Sequence, residues 1–314
     1  MEPELRKRPA RPNAGLLLGT VLALAFVFLL VVALFFVLSS FTPSLLGKCV
    51  AVVDLNMPLS VEGEQASVFG GGGYPGSEEY AATIDSLNQR DDVGAVVFIV
   101  NSPGGSVVAT REVYESVKSL DKPKVSYFRE VAASGAYYIA SGTDYIVSDP
   151  DALTGSIGVI TTVASMEGLF EKVGINVTTI ASGENKDLGS PYRNMSEGER
   201  EIFQGIVDEI YQEFRGIVVE NRKGRLNMAL FDNATDGRVM TGRQAYKAGL
   251  VDQLGTKRDA IEKAAELGGI PYERPEDIRT CPVSTSVAEP GLFGMGGFIQ
   301  GLQAAYGAPS VSFR

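Results

Sequence analysis

The stretch "VGAVVFIV", Val93 to Val100, carries no charge and no alternation of polar and apolar residues. A strand with one face in water alternates, whereas a continuous apolar run fits a strand covered on both faces, the habit of parallel sheets. The run passes directly into "NSPGGS" and then into "VVATREVYESVKSL", where Val113, Val117 and Leu120 recur at helical spacing. This unit of strand, glycine loop and helix is repeated by "KPKVSYF", the turn "REVAASG" and the short helix "AYYIASG", which Gly142 ends. Before it, Val50 to Val53 reads as a first strand, and "SEEYAATIDSLNQR" as a helix capped by Ser77 with Tyr80, Ile84 and Leu87 on one face. After it, "DYIVSDP" and "GSIGVITTV" read as strands and "SMEGLFEKVG" as a helix. A long helix then opens on the capping box Ser196 and Glu199. The order predicts an α/β fold with a mostly parallel sheet, whose sites gather at the C-terminal ends of the strands.

The run from Ala14 to Phe41 is uncharged and exceeds the roughly 20 apolar residues that cross a bilayer as a helix. It is also longer than the apolar part of a cleaved signal peptide, so a retained anchor is expected. Arg6, Lys7, Arg8 and Arg11 precede it and only Lys48 closely follows, which predicts a cytoplasmic N-terminus and a domain outside. The expected division is a cytoplasmic segment 1–13, an anchor 14–41, an extracytoplasmic domain 42–270 and a Pro/Gly-rich tail 271–314. The apolar "GLFGMGGFIQGLQAAYG" of that tail reads as an oligomer contact, a membrane-proximal flap or a frayed end. A formal charge of −10 argues against a nucleic-acid partner, which clustered Lys and Arg would serve. Cys49 and Cys281 lie far apart, lack the spacing of a metal site and read as chemically quiet. Sequons at Asn176, Asn194 and Asn233 are short enough to arise by chance.

The chain contains no histidine, and this removes Ser-His-Asp and Cys-His pairs and histidine-based zinc sites. A hydroxyl nucleophile would then need a carboxylate, a lysine or an amine as its base. Lysine serves when desolvation lowers its pKa from about 10.4 toward 7–8. Ser134 in "VAASGAYYIA" follows a strand and opens a helix, where backbone N–H groups point outward and can hold an oxyanion. The same small residues also suit close helix packing. Gly104 and Gly105 in "NSPGG" permit close backbone approach, but the loop lacks the lysine and spacing of a phosphate-binding loop, so no nucleotide or other cofactor is expected. Lys186, in "ASGENKDLGSP" between Asn185 and Asp187, is not singled out by local charge.

Four motifs occurring in order give the chain a family resemblance: "FIVNSPGGSV", "VAASGAYYIASGTDYIVSDPDALTGSIGVI", "SGENKDLGSPYR" and "GRVMTGRQAYKAGLVDQLG". Over roughly Val50 to Ala264 it resembles the signal peptide peptidase A family of membrane-anchored serine peptidases, in the short, single-repeat form. The resemblance implies a crotonase-like or Clp-protease-like fold and a Ser-Lys dyad of Ser134 and Lys186, with Ser156 orienting the lysine amine. It implies oxyanion donors at Gly105 and Gly135, no metal and no cofactor. Signal-peptide remnants and other apolar peptides are the implied substrates. A homo-oligomer is implied too, in which the serine and lysine of one site can come from neighbouring subunits. The double-length members carry two repeats; no second "SPGG" or "ASGAYY" occurs here. Two rival expectations are a non-catalytic membrane-anchored scaffold of crotonase-like fold and an acyl-CoA hydratase or thioesterase. The outward topology argues against the second.

Overall fold

The structure, a computed structural model, describes residues 19, 22–34, 47–56, 58–63 and 73–283. Residues 1–48 and 49–314 form separate units. In the first, residues 22–34 are helical with exposed apolar side chains, among them Leu24 and Phe28. Among the described residues no helix is long and apolar enough to cross a membrane. The remainder of the expected anchor, apart from Gly19, the segment 1–13 and the apolar stretch of the tail lie outside the described residues.

The second unit is built on eight strands. They are β1 (Cys49–Asn56), β2 (Val93–Ser102), β3 (Lys124–Ala133), β4 (Tyr145–Ser148), β5 (Leu153–Gly155), β6 (Val239–Thr241), β7 (Gln253–Leu254) and β8 (Thr280–Pro282). The order along the sheet is β6-β5-β3-β2-β1-β8, with β4 and β7 branching from β3. Every pairing is parallel except β5 with β6. The mixed α/β architecture with a mostly parallel sheet is therefore as the sequence predicts.

Both faces of β2 are covered. Val96, Phe98 and Val100 join one core with α1 (Ser77–Ser86), α2 (Val107–Ser119) and α3 (Gly135–Ser141), while Ala95, Val97 and Ile99 join a second core on the opposite face. That second face is closed by α8 (Lys257–Leu267), through Ala260, Ala264 and Ala265. Four further helices are α4 (Glu167–Val173), α5 (Glu197–Asn221), α6 (Met228–Ala234) and α7 (Gly242–Ala248). The α5 capping box forms as the sequence predicts, with Ser196 Oγ accepting from Glu199 N–H and Glu199 accepting from Ser196 N–H.

Five expectations change. Ser77 is the first residue of α1 and makes no capping bond, Gly76 standing at the cap. The stretch "GSIGVITTV" forms a strand only through Gly155, and Ser156 to Met166 runs as irregular chain. The "REVAASG" turn is mostly strand, since β3 continues to Ala133 and pairs its second half with β5 after its first half has paired with β4. The two cysteines are not quiet. Cys49 and Cys281 form a disulfide, because parallel pairing of β1 with β8 sets Ala51 beside Cys281 and draws the end of the described chain against its start. The chain beyond residue 270, expected as a tail, thus contributes one more strand to the sheet.

The long helix α5 is anchored at its C-terminal end by an ion pair. Arg222 is fully buried and directs two nitrogens at the Asp252 carboxylate, both at 2.8 Å, and two at the Gly249 carbonyl. Phe214 and Val218 on the same half of the helix enter the core. At its other half, Ile202 and Ile206 are exposed.

Candidate active site

Ser134 stands where the sheet's middle strand β3 gives way to α3. It is the residue before the helix, its backbone is at φ 53° and ψ −125°, and its hydroxyl makes no capping bond. Its N–H is held by Gly155 O of the neighbouring β5 at 2.9 Å, so the bend is fixed by the sheet itself. Ser156, one residue past the end of β5, is held in the same way by Arg238 O and has φ 50°. Among the described residues these two serines are the only non-glycine residues with positive φ. Such a backbone costs on the order of 1–3 kcal/mol and persists where the surroundings enforce it. Both serines line one cavity of about 820 Å³.

The glycine loop closes against this bend. Gly104 adopts φ 98°, and a Cβ placed on it would lie 2.7 Å from Gly135 N and 2.9 Å from Ser134 Cβ. Leu59 pins the loop from outside, donating to Gly104 O and accepting from Ser106 N–H. A Cβ on Gly105 would fall 1.9 Å from Leu59 O, so only glycine fits. Gly105 and Gly135 both border the cavity beside Ser134. An oxyanion is held by backbone N–H groups aimed at the place where its charge develops.

The walls explain what the cavity can hold. Val107, Val159, Ile160, Val207 and Ile210 supply apolar surface, and Tyr138 and Phe214 pack at 5.1 Å between ring centroids. Burial pushes the Tyr138 phenol up to about 12, so it is neutral at any working pH. Thr110, which sequence reasoning did not single out, also lines the cavity; its Oγ1 is buried without a hydrogen-bond partner and lies against Gly135. Its only sequence signal is its place on the buried face of α2, four residues before Tyr114.

Lys186 is elsewhere. It lies on a turn in residues 183–190, with its N–H bonded to Gly183 O and its side chain exposed, without a hydrogen-bond or ion-pair partner for that side chain among the described residues. It is not among the residues that line the Ser134 cavity. The structure therefore brings together Ser134, Ser156, Gly105 and Gly135 and leaves Lys186 outside that group. The segment that carries it is largely exposed: α4 has no buried residue, and Ile160 and Ile180 are 90% and 95% exposed.

Residues 116–270 match peptidase family S49, and residues 76–147 match Clp protease. A protein of Methanocaldococcus jannaschii, provisionally named a protease, is 36% identical over 253 residues, covering 72% of this chain and 79% of its own. A provisionally named signal peptide peptidase SppA of Enterococcus faecium is 36% identical over 188 residues, which is 59% of this chain and 54% of that protein. The chloroplastic serine protease SPPA of Arabidopsis thaliana is 33% identical over 207 residues, or 64% of this chain and 30% of its own length. The chain thus spans about half or less of the two relatives that carry the SppA name.

Proposed function

Because the chain belongs to peptidase family S49, the signal peptide peptidase A family, and is a serine peptidase, we propose that Ser134 is its nucleophile and Lys186 the general base. The observation that carries this reading is the forced bend at Ser134. A hydroxyl free of capping bonds lines a cavity together with Gly105 and Gly135, where the glycine loop abuts the bend.

In the proposed reaction the neutral Lys186 amine takes the proton from Ser134 Oγ as the oxygen attacks a peptide carbonyl. The Gly105 and Gly135 N–H groups hold the oxyanion, each donor worth roughly 3 kcal/mol in the transition state. The resulting ammonium protonates the departing amine, and the lysine then activates water to release the acyl group. Ser156, on the cavity wall, orients the amine through its hydroxyl.

Lys186 comes from a neighbouring copy. The exposed apolar side chains of residues 160–180 need cover, and a second copy supplies it while carrying the amine toward Ser134. Apolar peptides, including signal-peptide remnants, are the proposed substrates, a choice supported by the aliphatic cavity wall. An N-terminal anchor with the catalytic domain outside the cytoplasm is proposed from the uncharged 14–41 run and its flanking cations. The Cys49–Cys281 pairing supports it, since disulfides persist in oxidising compartments.

The test is hydrolysis of a chromogenic apolar peptide by the full chain in detergent. Ser134→Ala and Lys186→Ala should each abolish turnover while thermal unfolding stays in place, and mixing the two inactive variants should restore part of the activity through hybrid sites. Wild-type kcat/KM should rise with pH, because only the neutral amine accepts the proton. Full activity in either single variant sinks the dyad; no recovery on mixing sinks the shared site.

A further inference from the structure

The turn that carries Lys186 is tied down by one neighbouring side chain. Arg193 directs Nε and Nη2 at the two oxygens of Asp187, both at 2.9 Å, and Nη1 and Nη2 at those of Glu199, at 2.7 and 2.5 Å. One planar guanidinium thereby serves two carboxylates with two bonds each, a geometry that a lysine at this position cannot reproduce. Asp187 is the residue next to Lys186. Glu199 is the capping residue of α5, and its side chain is only 4% exposed. The guanidinium, followed by the Ser196 amide, holds the Glu199 carboxyl down at about 2, and Arg193 also lowers Asp187. Both acids stay ionised at any working pH, so the clamp does not loosen by protonation.

We propose that Arg193 is a positioning residue for Lys186: it clamps the 183–190 turn onto the N-terminus of α5 and keeps the Asp187 carboxylate on the guanidinium instead of on the adjacent amine. This rests on the reading of Lys186 as the base. Without the clamp two things change together. The amine loses its fixed origin, and a freed Asp187 pairs with it and favours its charged, inactive form. The other charges around the turn are Glu184 on the turn itself, Glu167 on α4, which accepts from Asn194 N–H, and Glu197 and Arg200 on the first turn of α5. Glu197 and Arg200 pair with each other. Removing Arg193 therefore releases two acids: Glu199, which is still held by the Ser196 N–H, and Asp187, which stands next to Lys186.

The experiment compares Arg193→Gln, Asp187→Asn, the double variant and Lys186→Ala as full chains in detergent, reading kcat and KM on one apolar peptide across pH, with thermal unfolding alongside. Arg193→Gln should lower kcat about tenfold to a hundredfold with KM changed by less than about threefold, as for a misplaced catalytic group. Its acid limb should also move to higher pH. Adding Asp187→Asn should return the limb to the wild-type position while kcat stays low. Asp187→Asn alone should lower kcat without raising the limb, and it carries the test if Arg193→Gln does not fold. The proposal is overturned if Arg193→Gln keeps kcat/KM within about twofold, or if its loss comes with lowered thermal stability and an unmoved limb. It is overturned equally if Asp187→Asn leaves kcat unchanged. An inactive Lys186→Ala beside an unaffected Arg193→Gln would remove the clamp and leave the dyad standing, whereas an active Lys186→Ala would remove both.

Discussion

The ground around Ser134 and the ground around Lys186 are built in opposite ways. Ser134 ends the central strand of a sheet covered on both faces, and its neighbours on three sides are backbone: β5, the Gly104 loop and the first turn of α3. Lys186 sits on a segment whose own helix buries nothing and whose aliphatic side chains face outward. The contrast teaches that one half of the proposed dyad is fixed by a single chain's packing. The other half is fixed locally by ion pairs, and on the proposed reading it is set against its partner by assembly. Helix α5 joins the two regimes, with Arg222 and Phe214 inside the core at one end and the Arg193 network at the other.

If that contrast is right, substitutions should cost stability in proportion to their distance from the arm, the largely exposed segment 156–190 that carries Lys186. The largest effect is expected for Arg222→Met, which strips the largely covered Asp252 of its buried partner and should cost about 3–5 kcal/mol in urea unfolding. The remaining contacts of Asp252 are with Arg225 Nη1, at 3.0 and 3.1 Å, and with the Ile146 N–H, at 2.8 Å, and a loss below about 1 kcal/mol would mean that these suffice and the helix is not anchored here. Gly135→Ala comes next. Its Cβ would lie 2.3 Å from Thr110 Oγ1, so a loss of about 1–3 kcal/mol is expected, together with most of the turnover. Adding Thr110→Ala should recover much of both, because the Thr110 hydroxyl has no partner to lose. Additive losses in the double variant would show that the contact is not the cause. The smallest effect belongs to Ile180→Ser, which should stay within about 0.5 kcal/mol of wild type in unfolding, since the side chain is 95% exposed. Light scattering should instead show a lower assembled mass, with activity falling in step; an unchanged mass would break the link between the arm and assembly.

How much of this the sequence disclosed follows the same division. The buried run at Val93 to Val100, the glycine loop after it and the capping box at Ser196 were legible because each is a local pattern with one physical meaning. Ser134 was legible as a hydroxyl between a strand and a helix and through the family motif; its bend was not, because it comes from Gly155 O, which lies on a strand that pairs from outside the local stretch. The irregular path after Gly155 was hidden for the opposite reason. "IGVITT" has strand-forming residues, but Val159 and Ile160 serve a cavity wall and an exposed face instead of a ladder. The Cys49–Cys281 pairing required knowledge that β8 returns beside β1. Arg193 was invisible because nothing in "SPYRNMSEGE" announces that its two acids lie on opposite sides of it.

The cross-link between residues 49 and 281 has one more outcome for a protease whose largely exposed 156–190 segment lies between them. Should that segment be nicked, by a sister molecule or any other enzyme, the two pieces would stay covalently joined. The damage would pass unseen on a gel run without reductant, and the split product would keep the stoichiometry of an intact subunit until thiols were added.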